Sequence, residues 1–398
     1  MAEYKILEYD YGFFVENYVG NYKLFEYNNK IYIVSDEYFG KDDIKKELKL
    51  KEIFVDEYKE DQYIIMKLSK IDVKKDNQII EFCNMYGLPY SSAIISENKE
   101  ENISVRRLYD YMEEYDHPHP FFHHDCMLRS EFCKYVVNAK NYLMLLSELK
   151  NKTPDMKKLI CSLLYVLIFE RIWDKCFNDL EEHINYTFTG KLRLNFQYEE
   201  YDTLHSGSVD KILKALSELC KHTSKESGEL RNYYDDLADL ISKLMFYIKK
   251  NGYSFKIDEN YDITSENEFE YNYELKQIIC KIGPRVLADS ITEGISNVRQ
   301  VLDINPEKSK FRAIHKFRYM YEGIYQELFL LCTNGERIHK CQNVTCSKYF
   351  VSNTNKKKFC SHQCAATAAK RRQRERDKAD PNRKRQEPGF KGKTVKCK

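Results

Sequence analysis

Four cysteines near the C-terminal end carry the spacing of a metal site. Cys341 and Cys346 form a Cys-x4-Cys pair, and after thirteen intervening residues Cys360 and Cys364 form a Cys-x3-Cys pair. Four thiolates make a closed tetrahedral set, which is the ligand set of structural zinc and leaves no open position for catalysis. Four unrelated buried cysteines are the alternative, and paired spacing in a chain expected to stay reduced disfavours it. His339 and His362 flank the pairs and could each replace a cysteine; a supporting or surface place suits them better. The expected cofactor is one structural Zn2+.

The elements that must hold these sulfurs are short. Lys348 to Ser352 and Lys356 to Phe359 predict a small hairpin around Asn353-Thr354-Asn355. Ala365 to Ala369 favour a helix beginning at Cys360, with Ser361 near its start. Cys360 and Cys364 then stand one turn apart and can face one metal. A knuckle pair, a hairpin and a pair at a helix start resemble treble-clef-like zinc modules. So few large apolar residues cannot build a core, so metal binding is expected to supply much of the folding free energy.

The same helix continues into Lys370, Arg371, Arg372, Arg374, Arg376 and Lys378, and Arg383-Lys384-Arg385 extends the charge. Cations fixed to a metal module can neutralise several phosphates, with binding that weakens steeply as salt rises. Few aromatics are interleaved beyond Phe390, which favours backbone contact with a duplex over base stacking on a single strand. A solvated charged helix, or a tail folded back on an acidic body, is the plainer alternative.

The whole chain hides this charge. Over 398 residues the formal net charge is +2. Residues 337–398 hold 19 Lys+Arg against 4 Asp+Glu, a net of +15, and residues 1–336 hold 45 against 58, a net of −13. Length allows two or three domains, and 42% hydrophobic with 32% charged residues suits a globular chain with a core. The start, Met1-Ala2-Glu3-Tyr4, has no signal-peptide pattern, and the longest apolar stretch, Leu159 to Phe169, is too short to span a bilayer. A cytoplasmic protein with reduced thiols, away from membranes, is expected.

Along the body, 23–27 and 31–34 flank Asn28-Asn29 as a tight hairpin, and 63–68 is a third strand candidate. A helix closes at Gly87-Leu88-Pro89. From Glu131 the pattern is helical, with Thr153-Pro154-Asp155 as the start of the helix that carries the apolar run. Residues 184–198 suggest a second hairpin. Helical periodicity returns at Ile212, Leu216 and Leu219 and again from Leu230 to Ile248, ended by Gly252. Residues 253–278 look loop-like, 286–302 helical, and steps of three and four from Phe311 to Leu328 predict one long amphipathic helix. Cys161, Cys176 and Cys220 suit the core, and Cys397 an incidental tail thiol.

The segment from about Tyr325 to Arg376 resembles the CGNR-type zinc finger family of bacterial regulators. The resemblance rests on Gly335 to Cys341, on Cys346-Ser-Lys-Tyr-Phe350, and on Phe359-Cys360-Ser361 through Cys364 with a basic helix behind it. A weaker likeness lies in Ile80 to Leu88. The resemblance implies that the four cysteines bind zinc, that the basic helix contacts DNA, and that the larger N-terminal region senses a ligand or stress signal. The family's Gly-Asn-Arg after the last cysteine is here Ala365-Ala366-Thr367, which leaves the contact to the cations at 370–376.

One other cluster invites chemistry. His117 to Cys126 packs four imidazoles, a carboxylate and a thiol into ten residues, as a metal-dependent hydrolase would want. Pro118 and Pro120 prevent the helix that would align them, so a loop of partly exposed histidines is the better reading. No phosphate-binding Gly-rich loop, nucleophile elbow or His-Glu-x-x-His occurs. The expected architecture is mainly α. It comprises an N-terminal α+β region (1–125), a helical body (126–335), a zinc module with its basic helix (336–378) and a basic tail (379–398). The expected function is a DNA-binding transcriptional regulator and not an enzyme. RNA stays open as the partner, as do a small-molecule or protein effector of the body and a homodimer. A protein–protein adaptor is the alternative.

Overall fold

The computed structural model describes residues 11–36, 50–52, 63–89, 126–169, 231–305, 310–333 and 337–379. Within these, 15, 19, 28, 259–261, 297, 318–319, 347 and 353–356 are excepted; 213 and 217 are described in addition. Helix predominates, with small sheets of two and three strands.

The N-terminal part begins with β1 (Tyr11–Phe14), β2 (Glu16–Tyr18), β3 (Tyr22–Tyr27), β4 (Lys30–Ser35) and β5 (Leu50–Glu52). β3 and β4 form the expected hairpin, closed by the pair Tyr27 and Lys30. Asn29 takes φ 60°, a left-handed conformation that Asn tolerates better than most residues. β6 (Cys126–Leu128) pairs with the other edge of β4, so Ile33 and Val34 in the central strand are buried.

Residues 63–68 are not a strand. They form α1 (Ile64–Leu68), with every residue but Lys67 buried. A short apolar run has no period that separates buried helix from buried strand. The deciding partner is distant: the backbone N–H groups of Ile64 and Ile65 donate to the two carboxylate oxygens of Glu327, at 2.8 Å each. This side chain caps the first turn, where helical N–H groups otherwise lack acceptors. α2 (Asp76–Tyr86) ends as expected at Gly87, φ 78°.

α3 (Arg129–Leu149) packs on α4 (Met156–Phe169), whose Leu159, Ile160, Leu163, Leu164, Val166 and Leu167 are fully buried. The expected helix is present, but its start lies two residues later than the sequence suggests. The Asp155 carboxylate accepts the Lys158 N–H at 3.2 Å, so Asp155 is the cap and Thr153 and Pro154 lie outside. α5 (Arg231–Lys250) ends before Gly252, φ 64°. Two short strands follow, β7 (Lys256–Ile257) and β8 (Ile263–Thr264).

α6 (Tyr273–Gly294) corrects the expected loop to 278 and the helix over 286–302. Pro284 lies inside it. A proline removes one helical hydrogen bond, yet Leu275, Ile279, Ile282, Val286 and Ile291 continue one buried stripe across it. The long helix expected from Phe311 also breaks in two. Residues Lys310–Lys316 form β10, antiparallel to β9 (Arg299–Asn305) and flanked in parallel by β1. Helix begins only at α7 (Met320–Thr333). Three apolar positions at 311, 314 and 317 are too few to fix a period, and the pairing of Ile314 with Val301 decides for strand.

Helices α3, α4, α6 and α7 share one core. Tyr142 and Tyr325 meet edge to face there, with ring centroids 5.8 Å apart. A Cβ added at Gly294 would collide with the Tyr325 ring. Gly294→Ala should therefore destabilise the fold by about 1–3 kcal/mol, the range for overpacking a filled core. Equal denaturant midpoints for the two chains would contradict the contact. Among the described residues no helix is long and apolar enough to cross a membrane, and no disulfide joins the described cysteines to one another. The suggested hairpin at 184–198, residues 91–125, and Ile212, Leu216, Leu219, Cys176, Cys220 and Cys397 lie outside the described residues.

Candidate metal centre

Two strands and a helix assemble the C-terminal site. β11 (Arg337–Lys340) and β12 (Tyr349–Ser352) are antiparallel, with Ile338 opposite Val351 and His339 opposite Phe350. The expected hairpin paired 348–352 with the residues after 355. The structure instead pairs β12 with the strand before Cys341, so the Cys-x4-Cys segment is itself the connection of the hairpin. The Cys341 N–H donates to the Lys348 carbonyl at 3.0 Å and extends the ladder into the turn. The Cys346 N–H donates to the Asn343 carbonyl at 2.8 Å and closes it. The Gln342 N–H reaches the Lys358 carbonyl at 3.0 Å, which ties the second cysteine arm to the first.

α8 (His362–Ala379) supplies the remaining pair. Ser361 caps it: its carbonyl accepts the Ala365 N–H at 3.1 Å and its hydroxyl accepts the Cys364 N–H at 3.2 Å. Cys360 thus precedes the cap and Cys364 sits in the first turn.

The four sulfurs of Cys341, Cys346, Cys360 and Cys364 all lie within 4.8 Å of one another and could hold a metal ion. The Cys346 and Cys360 sulfurs are 3.7 Å apart, and those of Cys360 and Cys364 3.5 Å. A tetrahedron with metal–sulfur bonds of about 2.3 Å has sulfur–sulfur edges of about 3.8 Å, so the spacing suits that geometry. Neither His339 nor His362 belongs to the group. His339 lies beside Phe350, ring centroids 5.6 Å apart, and His362 is exposed on α8.

The thiols are electrostatically unequal. Hydrogen bonds with Asn343, Ser361 and Cys360 lower Cys364 to about 6. Burial, then the neighbouring thiols, push Cys360 up to about 12. Burial also raises Cys346, although the Lys348 N–H at its sulfur opposes the shift. One thiolate forms readily, and a bound cation would be needed to offset the repulsion among four. Asn343 is the supporting residue that sequence reasoning passed over. It is buried, and the Thr345 hydroxyl donates to its Oδ1 at 3.1 Å. Its position in a tight turn between two ligands was the available signal.

The hairpin is not a free-standing finger. Ile338, Tyr349 and Val351 belong to the same buried core as the body helices. The Ser147 hydroxyl on α3 donates to the Ile338 carbonyl at 3.2 Å. The Lys150 ammonium donates to the Leu331 carbonyl at the end of α7, 3.3 Å away. The core that the isolated segment lacks is thus lent by the body.

α8 leaves this base with its cations in solvent. Lys370, Arg371, Arg372, Arg374, Arg376 and Lys378 are all exposed. Arg371 pairs with Glu375, Nε to Oε1 3.0 Å, and the Gln373 amide donates to Asp377 at 2.8 Å. Of the other suggested cluster, 117–125 lie outside the described residues, and Cys126 stands on β6 beside Val34. Comparison with protein families, curated proteins and solved structures returns no match.

Proposed function

We propose that the chain is a zinc-stabilised nucleic-acid-binding protein, a DNA-binding transcriptional regulator. In this reading the body receives a small-molecule or protein signal, or pairs with a second copy, in the cytoplasm. The observation that carries it is the double duty of Cys364. Its sulfur belongs to the four-cysteine group, and it opens the helix that exposes Lys370, Arg372, Arg374, Arg376 and Lys378. Zinc fits best because four cysteine sulfurs at tetrahedral spacing are its structural ligand set. A turn with two ligands, a hairpin and a helix start with two more support the treble-clef-like class and the CGNR-type likeness.

The role of each part follows from its placement. Metal and hairpin fix the base of α8 to the core, so the cations are presented with little ordering cost on binding. They neutralise phosphates and release counterions. With four protein sulfurs around the metal no ligand position stays open, so the site serves binding and not catalysis.

The test substitutes Ala for Lys370, Arg372, Arg374, Arg376 and Lys378 in the full chain. Deleting residues 337–398 would strip Ile338, Tyr349 and Val351 from the core. The variant should lose roughly 100-fold or more in affinity for a duplex of about 24 base pairs at low salt, since each phosphate contact carries salt-dependent affinity. Unchanged affinity would refute the reading. An acidic protein that displaces the chain from DNA at equal charge concentration would point instead to the adaptor.

A further inference from the structure

In the first turns of α8 exposure separates two sides, and from Ala369 to Arg376 every residue is exposed. At about 100° per residue, Arg371 lies two turns below Cys364 on the same side, with its partner Glu375. That side faces the metal base. Ala365 and Ala368 next to it are half-buried, whereas Ala366, Ala369 and Gln373 are exposed. Gln373, nine residues from Cys364, stands about 180° round the helix from it.

Two cationic rows border this outer face. Lys370 and Arg374, four residues apart, lie on one edge, and Arg372 and Arg376 on the other. The rows are roughly 120–200° apart round the axis, so no flat surface meets both. A groove with a phosphate wall on each side does. The B-form major groove is about 12 Å wide and admits an α-helix of about 10–12 Å diameter. The deep, narrow major groove of A-form RNA does not.

Resting on the nucleic-acid reading above, we propose that α8 enters the major groove of duplex DNA with its Ala366–Ala369–Gln373 face towards the bases. Gln373 is then the residue that discriminates sequence. Small alanines let the backbone approach the groove floor. Gln373 can pair bidentately with adenine: its oxygen accepts from N6 and its amide donates to N7. One amide hydrogen already goes to Asp377, 2.8 Å away. The second hydrogen and the oxygen remain for the base, because a primary amide has two donors. Asp377 is a positioning residue that sets the orientation of the Gln373 amide.

The experiment uses the metal-loaded full chain and a pool of 30-base-pair duplexes with a randomised centre. Wild type should enrich an adenine-containing site. Gln373→Ala should bind the pool with the same salt slope and lose roughly 5- to 150-fold of discrimination at one position, the worth of one bidentate contact. Alanine is the better helix former, so loss of helix cannot mimic this result. The double variants Lys370→Ala/Arg374→Ala and Arg372→Ala/Arg376→Ala should each lower the salt slope by about 2. Three results overturn groove entry while leaving a general phosphate grip intact. These are an unchanged preference in Gln373→Ala, dependence on one row only, or equally tight binding of duplex RNA. Failure to hold either nucleic acid at low salt overturns both readings.

Discussion

Cys360→Ser should empty the metal centre and cut the affinity for duplex DNA by roughly 100-fold, while leaving the body folded. The Cys360 sulfur stands 3.7 Å from that of Cys346 and 3.5 Å from that of Cys364, so it joins the turn pair to the helix pair. A serine hydroxyl is a harder, weaker donor for a thiolate site. Metal binding in such modules contributes about 10–16 kcal/mol of folding free energy, and three sulfurs cannot retain most of it. The loss should be local. Ile338, Tyr349 and Val351 stay in the body's core, so the hairpin remains docked while the 360–364 arm comes loose. Metal content should drop from one ion per chain to none, and protease should cleave within 353–380 much faster than in wild type. The thermal transition of the body should move little. Retained metal, or wild-type DNA affinity after metal loss, would contradict the account.

Glu327→Ala should strike the body instead. Its carboxylate is fully buried and accepts the N–H groups of Ile64 and Ile65. Removing it leaves two buried donors without their acceptor, at a cost of about 2–5 kcal/mol. The same residue predicts a pH dependence. Burial pushes its carboxyl from an ordinary 4.5 up to about 8, against the two N–H bonds and Lys67. Between those values the folded chain holds a proton that the unfolded chain has released. The stability from this proton is complete below about pH 4.5 and is lost as pH rises through about 8. Glu327→Gln cannot titrate, so the gap between it and wild type should change across pH 5–8 in denaturant unfolding. A constant gap would show that this carboxyl is ionised throughout.

Glu327 also shows where the sequence falls silent. It lies on a helical stripe like any surface glutamate, and its partners are 262 and 263 positions away. The strand candidate at 63–68 became a helix because that distant carboxylate caps it, which no local window contains. The same holds for β9 and β10, whose mutual pairing overrode helical spacing from Phe311. Pro284 misled because a continuous buried stripe outweighs one missing hydrogen bond. What was legible had local causes. Asn29 turned the first hairpin, Gly87 and Gly252 closed their helices, and the apolar run at 159–169 became a buried helix. The four cysteines were legible for the same reason, since ligand spacing is a local constraint. Their hairpin was not, because the partner of β12 lies before the first cysteine and not after Asn355.

The central claim is that a metal-anchored cationic helix grips nucleic acid, and one titration tests it most directly. Binding of the full chain to a duplex of about 24 base pairs is measured from 50 to 200 mM salt, before and after chelation of the metal. The account predicts a linear fall of log affinity with log salt, with a slope of about −3 to −5 for four or five neutralised phosphates. It also predicts loss of most of that affinity once the metal is removed. A flat salt response, or equal binding by the metal-free chain, would contradict it.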